Sequence, residues 1–118
     1  MRILPLILAA TVAASPAFAG WSTITSEAQL KKLVVGKSYL DPKSGAWFKL
    51  RRNGKLTGAA RKEKLTGVWQ WKDKYVCFDR ALGGKKLPGD CIIIQVDGPN
   101  IATIRQQGKG RKTAYVPK

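Results

Sequence analysis

Apolar positions along this chain recur mostly at every second residue, in short runs separated by Gly, Pro, Asn and Lys. That is the period of half-buried strands, not of helices. The exception lies near the start. Trp21 to Thr25 reads as an extended lead-in, and Ser26-Glu27-Ala28-Gln29 has the capping-box pattern. The Ser26 hydroxyl can accept from the Gln29 amide while the Gln29 side chain reaches back. Ala28, Leu30, Leu33 and Val34 then form an apolar stripe, Lys31 and Lys32 face water, and Gly36 can end the turn in the left-handed conformation. One short helix is predicted here.

From Lys37 onward the signals are strands and turns. Strands are predicted over residues 38–41, 46–52, 55–60, 65–71, 74–80, 91–96, 101–106 and 112–116. Turns are predicted at 42–45, 53–54, 61–64, 72–73 and 97–100, with loops over 81–89 and 107–110. Asn53-Gly54 is the strongest hairpin signal. The fold class is therefore mainly β: a small antiparallel meander of about eight strands, curled into a barrel or two-layer sheet and capped by the short N-terminal helix. Gly58 and Gly67 fall inside strand runs, where they permit bulges or sharp coiling. Lys55-Leu56-Thr57-Gly58 is echoed by Lys64-Leu65-Thr66-Gly67, as expected of adjacent strands with similar packing needs.

The first nineteen residues read as a cleavable signal peptide. Arg2 precedes the apolar run Ile3 to Ala14, and Ala17-Phe18-Ala19 fits a signal-peptidase site with cleavage before Gly20. The run is shorter than the ~20 residues that a membrane span needs, and no later run reaches that length. The expected mature protein is one β-rich domain, residues 20–118, located in the periplasm or secreted. Cys77 and Cys91 are the only cysteines, and in an exported chain an even count points to a single disulfide. A metal site would need further soft ligands, and a redox pair would normally be spaced C-x-x-C.

Charge is lopsided. Against 22 Lys and Arg there are 7 Asp and Glu and no His, a formal charge of +15. In a meander, alternate loops share one end, which would gather Arg61, Lys62, Lys64, Lys85, Lys86, Lys109, Arg111 and Lys112 into a candidate anion-binding face. Such a charge usually suggests nucleic acid. Export argues against that partner and favours an anionic envelope component or an acidic protein.

Chemistry is sparse by comparison. Without His, Ser-His-Asp and Cys-His arrangements are impossible. The acidic residues fall mostly in predicted turns or beside cations, and Gly83-Gly84-Lys85 and Gly108-Lys109-Gly110 lack the strand–turn–helix setting of a phosphate loop. No metal, no cofactor and no catalytic residue are expected.

Gly67-Val-Trp69-Gln-Trp71-Lys-Asp73-Lys-Tyr75-Val-Cys77, followed by Asp90-Cys91, resembles a family of small exported bacterial proteins with the pattern G-x-W-x-W-x-D-G-Y-x-C-R and a downstream D/N-C pair. Asn53-Gly54-Lys55-Leu56-Thr57-Gly58 also looks like that family. Lys74 stands where the family has a turn Gly, and Phe78 where it has a basic residue. The resemblance implies a structural role for Gly67, Trp69, Trp71, Asp73, Tyr75 and Asp90, and no activity. Some relatives are labelled dihydrodipicolinate reductase. This chain has no dinucleotide fingerprint and is too short for the two domains that chemistry requires. The expected function is a non-enzymatic envelope β-domain that binds an anionic polymer or a protein. The alternatives are a small-ligand carrier using a barrel interior and, third, an enzyme of unrecognised type.

Overall fold

A computed structural model describes residues 20–118. The predicted signal peptide, residues 1–19, lies outside the described residues. Each strand of the meander pairs antiparallel with its neighbour in sequence: β2 (Ser38–Leu40), β3 (Trp47–Leu50), β4 (Lys55–Ala60), β5 (Glu63–Lys72), β6 (Tyr75–Leu82), β7 (Lys85–Asp97), β8 (Asn100–Ile104) and β9 (Lys112–Pro117). β9 then pairs back onto β2 through Tyr39↔Pro117 and Leu40↔Val116. The predicted sheet is thus a closed eight-stranded barrel, and closure removes the exposed edges that an open meander would leave. A short strand, β1 (Ser22–Thr23), pairs with β7 opposite Val96 and Gln95.

The short helix α1 (Glu27–Leu33) starts as its sequence dictates. The Ser26 hydroxyl accepts from the Gln29 amide at 3.2 Å, and Gln29 Oε1 accepts from the Thr25 amide at 2.9 Å. Leu30, Val34 and Val35, together with Ile24 from the lead-in, are buried against Leu50, Val76, Ile94 and Ile101 of the barrel. The Tyr39 hydroxyl donates to the Leu33 carbonyl at 3.2 Å, tying helix to barrel. This end of the barrel is closed.

The repeated Lys-Leu-Thr-Gly has a packing reason. β4 and β5 pair so that Leu56 faces Gly67 and Gly58 faces Leu65. Each leucine therefore lies beside a residue without a side chain. A Cβ on Gly58 would strike the Trp47 carbonyl oxygen and come within 2.9 Å of Phe48 Cα, and one on Gly67 would strike the Asp79 carbonyl oxygen and come within 2.9 Å of Arg80 Cα. The two glycines let the sheet coil tightly enough to close.

Three segments differ from the pattern-based expectation. The predicted loop 81–89 is mostly strand, because Gly83 (φ +59°) and Gly84 (φ +83°) complete a two-residue turn between β6 and β7. Pro88 and Gly89 then lie within β7, where the register with β6 shifts between Phe78 and Arg80, and a bulge tolerates proline. The turn predicted over 61–64 is only Arg61-Lys62, both left-handed (φ +52° and +66°), so that Glu63 and Lys64 belong to β5. The strand predicted over 101–106 stops at Ile104. There a four-residue helical turn, α2 (Arg105–Gly108), has left-handed Gln106 and Gln107.

The disulfide pairs Cys77 with Cys91. The two residues are directly opposed across β6 and β7, next to the bulge, with Cα atoms 3.9 Å apart. Among the described residues, no helix is long and apolar enough to cross a membrane.

Candidate functional site

An up-and-down barrel presents alternate turns at each end. The turns over 41–46, 61–62, 83–84 and 105–111 lie at the end away from α1. Between them the barrel interior opens into a cavity of about 240 Å³, whose lining includes no residue of α1.

Alternation along the strands decides what lines it. On β6 the inward series is Val76, Phe78, Arg80 and Leu82, since Val76 faces the buried Ile92 across β7 while Cys77 and Cys91 share the outer face. On β3 to β5 the lining is apolar: Phe48, Leu50, Leu56, Ala59, Ala60 and Leu65. Across the barrel, β8, β9 and the loop between them contribute Thr103, Arg105, Arg111, Thr113 and Tyr115. In the cyclic strand order β4 lies opposite β8, and β5 opposite β9. One wall is therefore greasy and the facing wall carries hydroxyls and guanidiniums.

Arg80 is the least satisfied group in the cavity. Its Nε is buried and has no hydrogen-bond partner among the described residues. Its guanidinium lies 5.0 Å from the centre of the Phe78 ring. Burial draws its pKa down from the ordinary arginine value and the charge of Arg105 adds to this, while Tyr115 and Asp90 act in the opposite sense. Gly67, directly opposite on β5, lets the β6 backbone at Asp79 and Arg80 approach closely.

Arg105 differs, because it has a counter-ion. Asp90 Oδ2 accepts from Arg105 Nε at 2.9 Å, and Asp90 Oδ1 accepts from the amides of Cys91 (2.8 Å) and Gln106 (3.2 Å). Burial pushes the Asp90 carboxyl upward, but these hydrogen bonds outweigh it and hold the group below the ordinary carboxylate range. Asp90 thereby clamps the start of α2 onto the bulged stretch of β7. The Tyr115 ring packs edge-on against Phe48 at 5.0 Å, and burial raises its hydroxyl pKa.

The eight cations predicted as an anion-binding face all lie at this open end. Arg61 and Lys62 form the β4–β5 turn, Lys64 sits near the start of β5, and Lys85 and Lys86 begin β7. Lys109 and Arg111 lie in the β8–β9 loop, and Lys112 begins β9. All eight are exposed. Arg111 alone among them lines the cavity; Lys112 instead lies 4.9 Å from the ring of Trp21.

The residues of the resembled family pattern occupy other places. Gly67, Trp69 and Trp71 alternate along β5, with Trp69 buried and its Nε1 donating to the Arg51 carbonyl at 2.9 Å. Asp73 takes the left-handed turn position (φ +64°) between β5 and β6, which leaves Lys74 outside that region. Tyr75 sits beneath the Lys74 ammonium at 5.7 Å.

Charge taken loop by loop does not reach Arg105, Thr103, Thr113 and Tyr115, and gives Arg80 only as an ion-pair partner for a neighbouring carboxylate. Arg80 had a signal, because it is the lone cation in an otherwise apolar alternating series. Among the described residues, no group of three or more His, Cys, Asp or Glu could hold a metal ion. Compared with protein-family models, with curated proteins and with solved structures, the chain finds no match.

Proposed function

We propose that this protein is an exported, non-catalytic binding domain that takes a small, largely apolar molecule into the open end of its barrel. One observation carries the reading: the barrel is plugged at the α1 end by Ile24, Leu30, Val34 and Val35, yet retains a cavity of about 240 Å³ that opens at the other. Interiors normally close-pack, and an eight-stranded barrel has room to be filled by side chains or to hold one small ligand. Here the small side chains of Ala46, Ala59 and Ala60 line part of the apolar wall and leave the space between the strands unfilled. The cavity is smaller than the roughly 300–1,000 Å³ of drug-sized sites, so the occupant is a short chain or a compact ring system. The surrounding cations would raise the encounter rate of an anionic ligand.

The test is emission from a neutral fluorophore, N-phenyl-1-naphthylamine, which brightens on leaving water. The protein is expected to enhance it, and Ala60→Trp, which places an indole in the cavity, is expected to abolish the enhancement. No enhancement by the native protein, or equal enhancement by the filled variant, contradicts the reading.

A further inference from the structure

We propose that the molecule taken into the barrel is a single-chain organic anion: a carboxylate or phosphate monoester whose charged oxygens accept from Arg80, flanked by Arg105 and Arg111, while its short apolar chain lies against the β4–β5 wall. This rests on the reading of the cavity as a binding site and names the chemistry of its ligand.

Three features converge. Arg80 Nε is a buried donor with no partner among the described residues, and buried polar groups in native proteins are nearly always satisfied. An acceptor at that point would complete it. Among the described residues, the two ion pairs join Lys31 to Glu27 and Arg105 to Asp90, so Arg80 and Arg111 reach the cavity without a carboxylate of their own there. A guanidinium fork matches the paired oxygens of a carboxylate or phosphate. Beside Arg80 and across the barrel from Arg105 and Arg111, Leu56, Ala59, Ala60 and Leu65 form a wall that offers nothing to a second charge.

The same features exclude the neighbouring chemistries. A free inorganic anion would satisfy the arginines and leave the apolar wall uncovered. A neutral hydrocarbon would cover the wall and leave the buried Arg80 Nε with no acceptor. A two-chain lipid would not fit in about 240 Å³. The occupant that meets both walls has one charged end and one short tail.

Competition against the bound naphthylamine probe at pH 7 separates these cases, using octanoate, octyl phosphate, 1-octanol and inorganic phosphate. The expected order is displacement by octanoate and octyl phosphate at concentrations about tenfold or more below that needed for octanol, with no displacement by inorganic phosphate. Arg80→Met is expected to bring octanoate to the level of octanol. Should that variant fail to fold, Arg111→Gln at the exposed rim is expected to weaken octanoate selectively. Equal displacement by octanol and octanoate, or displacement by phosphate alone, overturns the anionic-amphiphile assignment while leaving the cavity as a binding site. No displacement by any of the four overturns both.

Discussion

If Arg80 is held in the barrel for a ligand, the empty protein is less stable for having it. Arg80→Met keeps an unbranched stem of similar length and removes the charge. The orphaned Nε costs about 1–3 kcal/mol in the unliganded state. Against that gain stands the lost contact with Phe78 at 5.0 Å, about 0.5–2 kcal/mol for a partly desolvated cation–π pair. Attraction to Asp90 is also lost, and repulsion from Arg105 is relieved. The balance favours the variant by about 1 kcal/mol, in line with the general finding that replacing buried charge by apolar volume is neutral or stabilising. For a domain of this size that is a rise in Tm of roughly 4–8 °C. Calorimetry of both proteins without added ligand, at pH 7, reads it directly. A variant that melts below the native protein would identify Arg80 as a strut of the barrel and refute the reasoning. A rise in Tm combined with lost octanoate binding is the stability–function trade-off expected of a site residue.

Replacing both Cys77 and Cys91 by Ala should cost about 3 kcal/mol for a bridge spanning 14 residues. Calorimetry should record this as a Tm lower by roughly 12–24 °C; a fall of only a degree or two would mean the hairpin ladder alone holds the bulge. The folded-state pKa of Asp90 is depressed, so its contribution is fully present above the unfolded Asp value of about 4 and is lost as pH falls through the lower folded value. Urea unfolding across that window should show a shallower acid slope for Asp90→Asn than for the native protein, and identical slopes would contradict the clamp. The Arg61→Asn, Lys62→Gly double variant places residues that tolerate positive φ where two L side chains are held left-handed, and should gain about 1–2 kcal/mol by thermal melting.

Alternation and turn chemistry made most of the barrel legible. Gly36, Gly54 and Gly98 adopt positive φ at the predicted turns, and Ser26 caps its helix through the Gln29 amide. The alternating order of loops placed the cations at one end. Where the reading stopped, a long-range effect took over. Closure depends on β9 returning to β2 and β8 pairing with β7, contacts that no local window contains. The stretch 81–89 looked like coil because Gly, Lys and Pro are turn residues; a bulge opposite Phe78 and Arg80 let Pro88 remain in strand. The cavity is not legible from the residues that line it, because it is a void left between Leu and Ala on one wall and Thr and Arg on the other. Arg80 was visible in the β6 series, but an ion pair with a nearby carboxylate is the usual expectation for such a residue. Here the carboxylate at hand, Asp90, is taken by Arg105.

In the proposed complex a small anion enters the barrel and meets Arg80 from within. Nitrogen–proton correlation spectra of labelled protein, titrated with octanoate, follow the Arg80 Nε–H resonance and the backbone amides together. This resonance is expected to shift in step with the amides of Leu56, Leu65 and Val76, while those of α1 stay in place. Shifts restricted to the exposed lysines of the open end, with Arg80 unmoved, would contradict it.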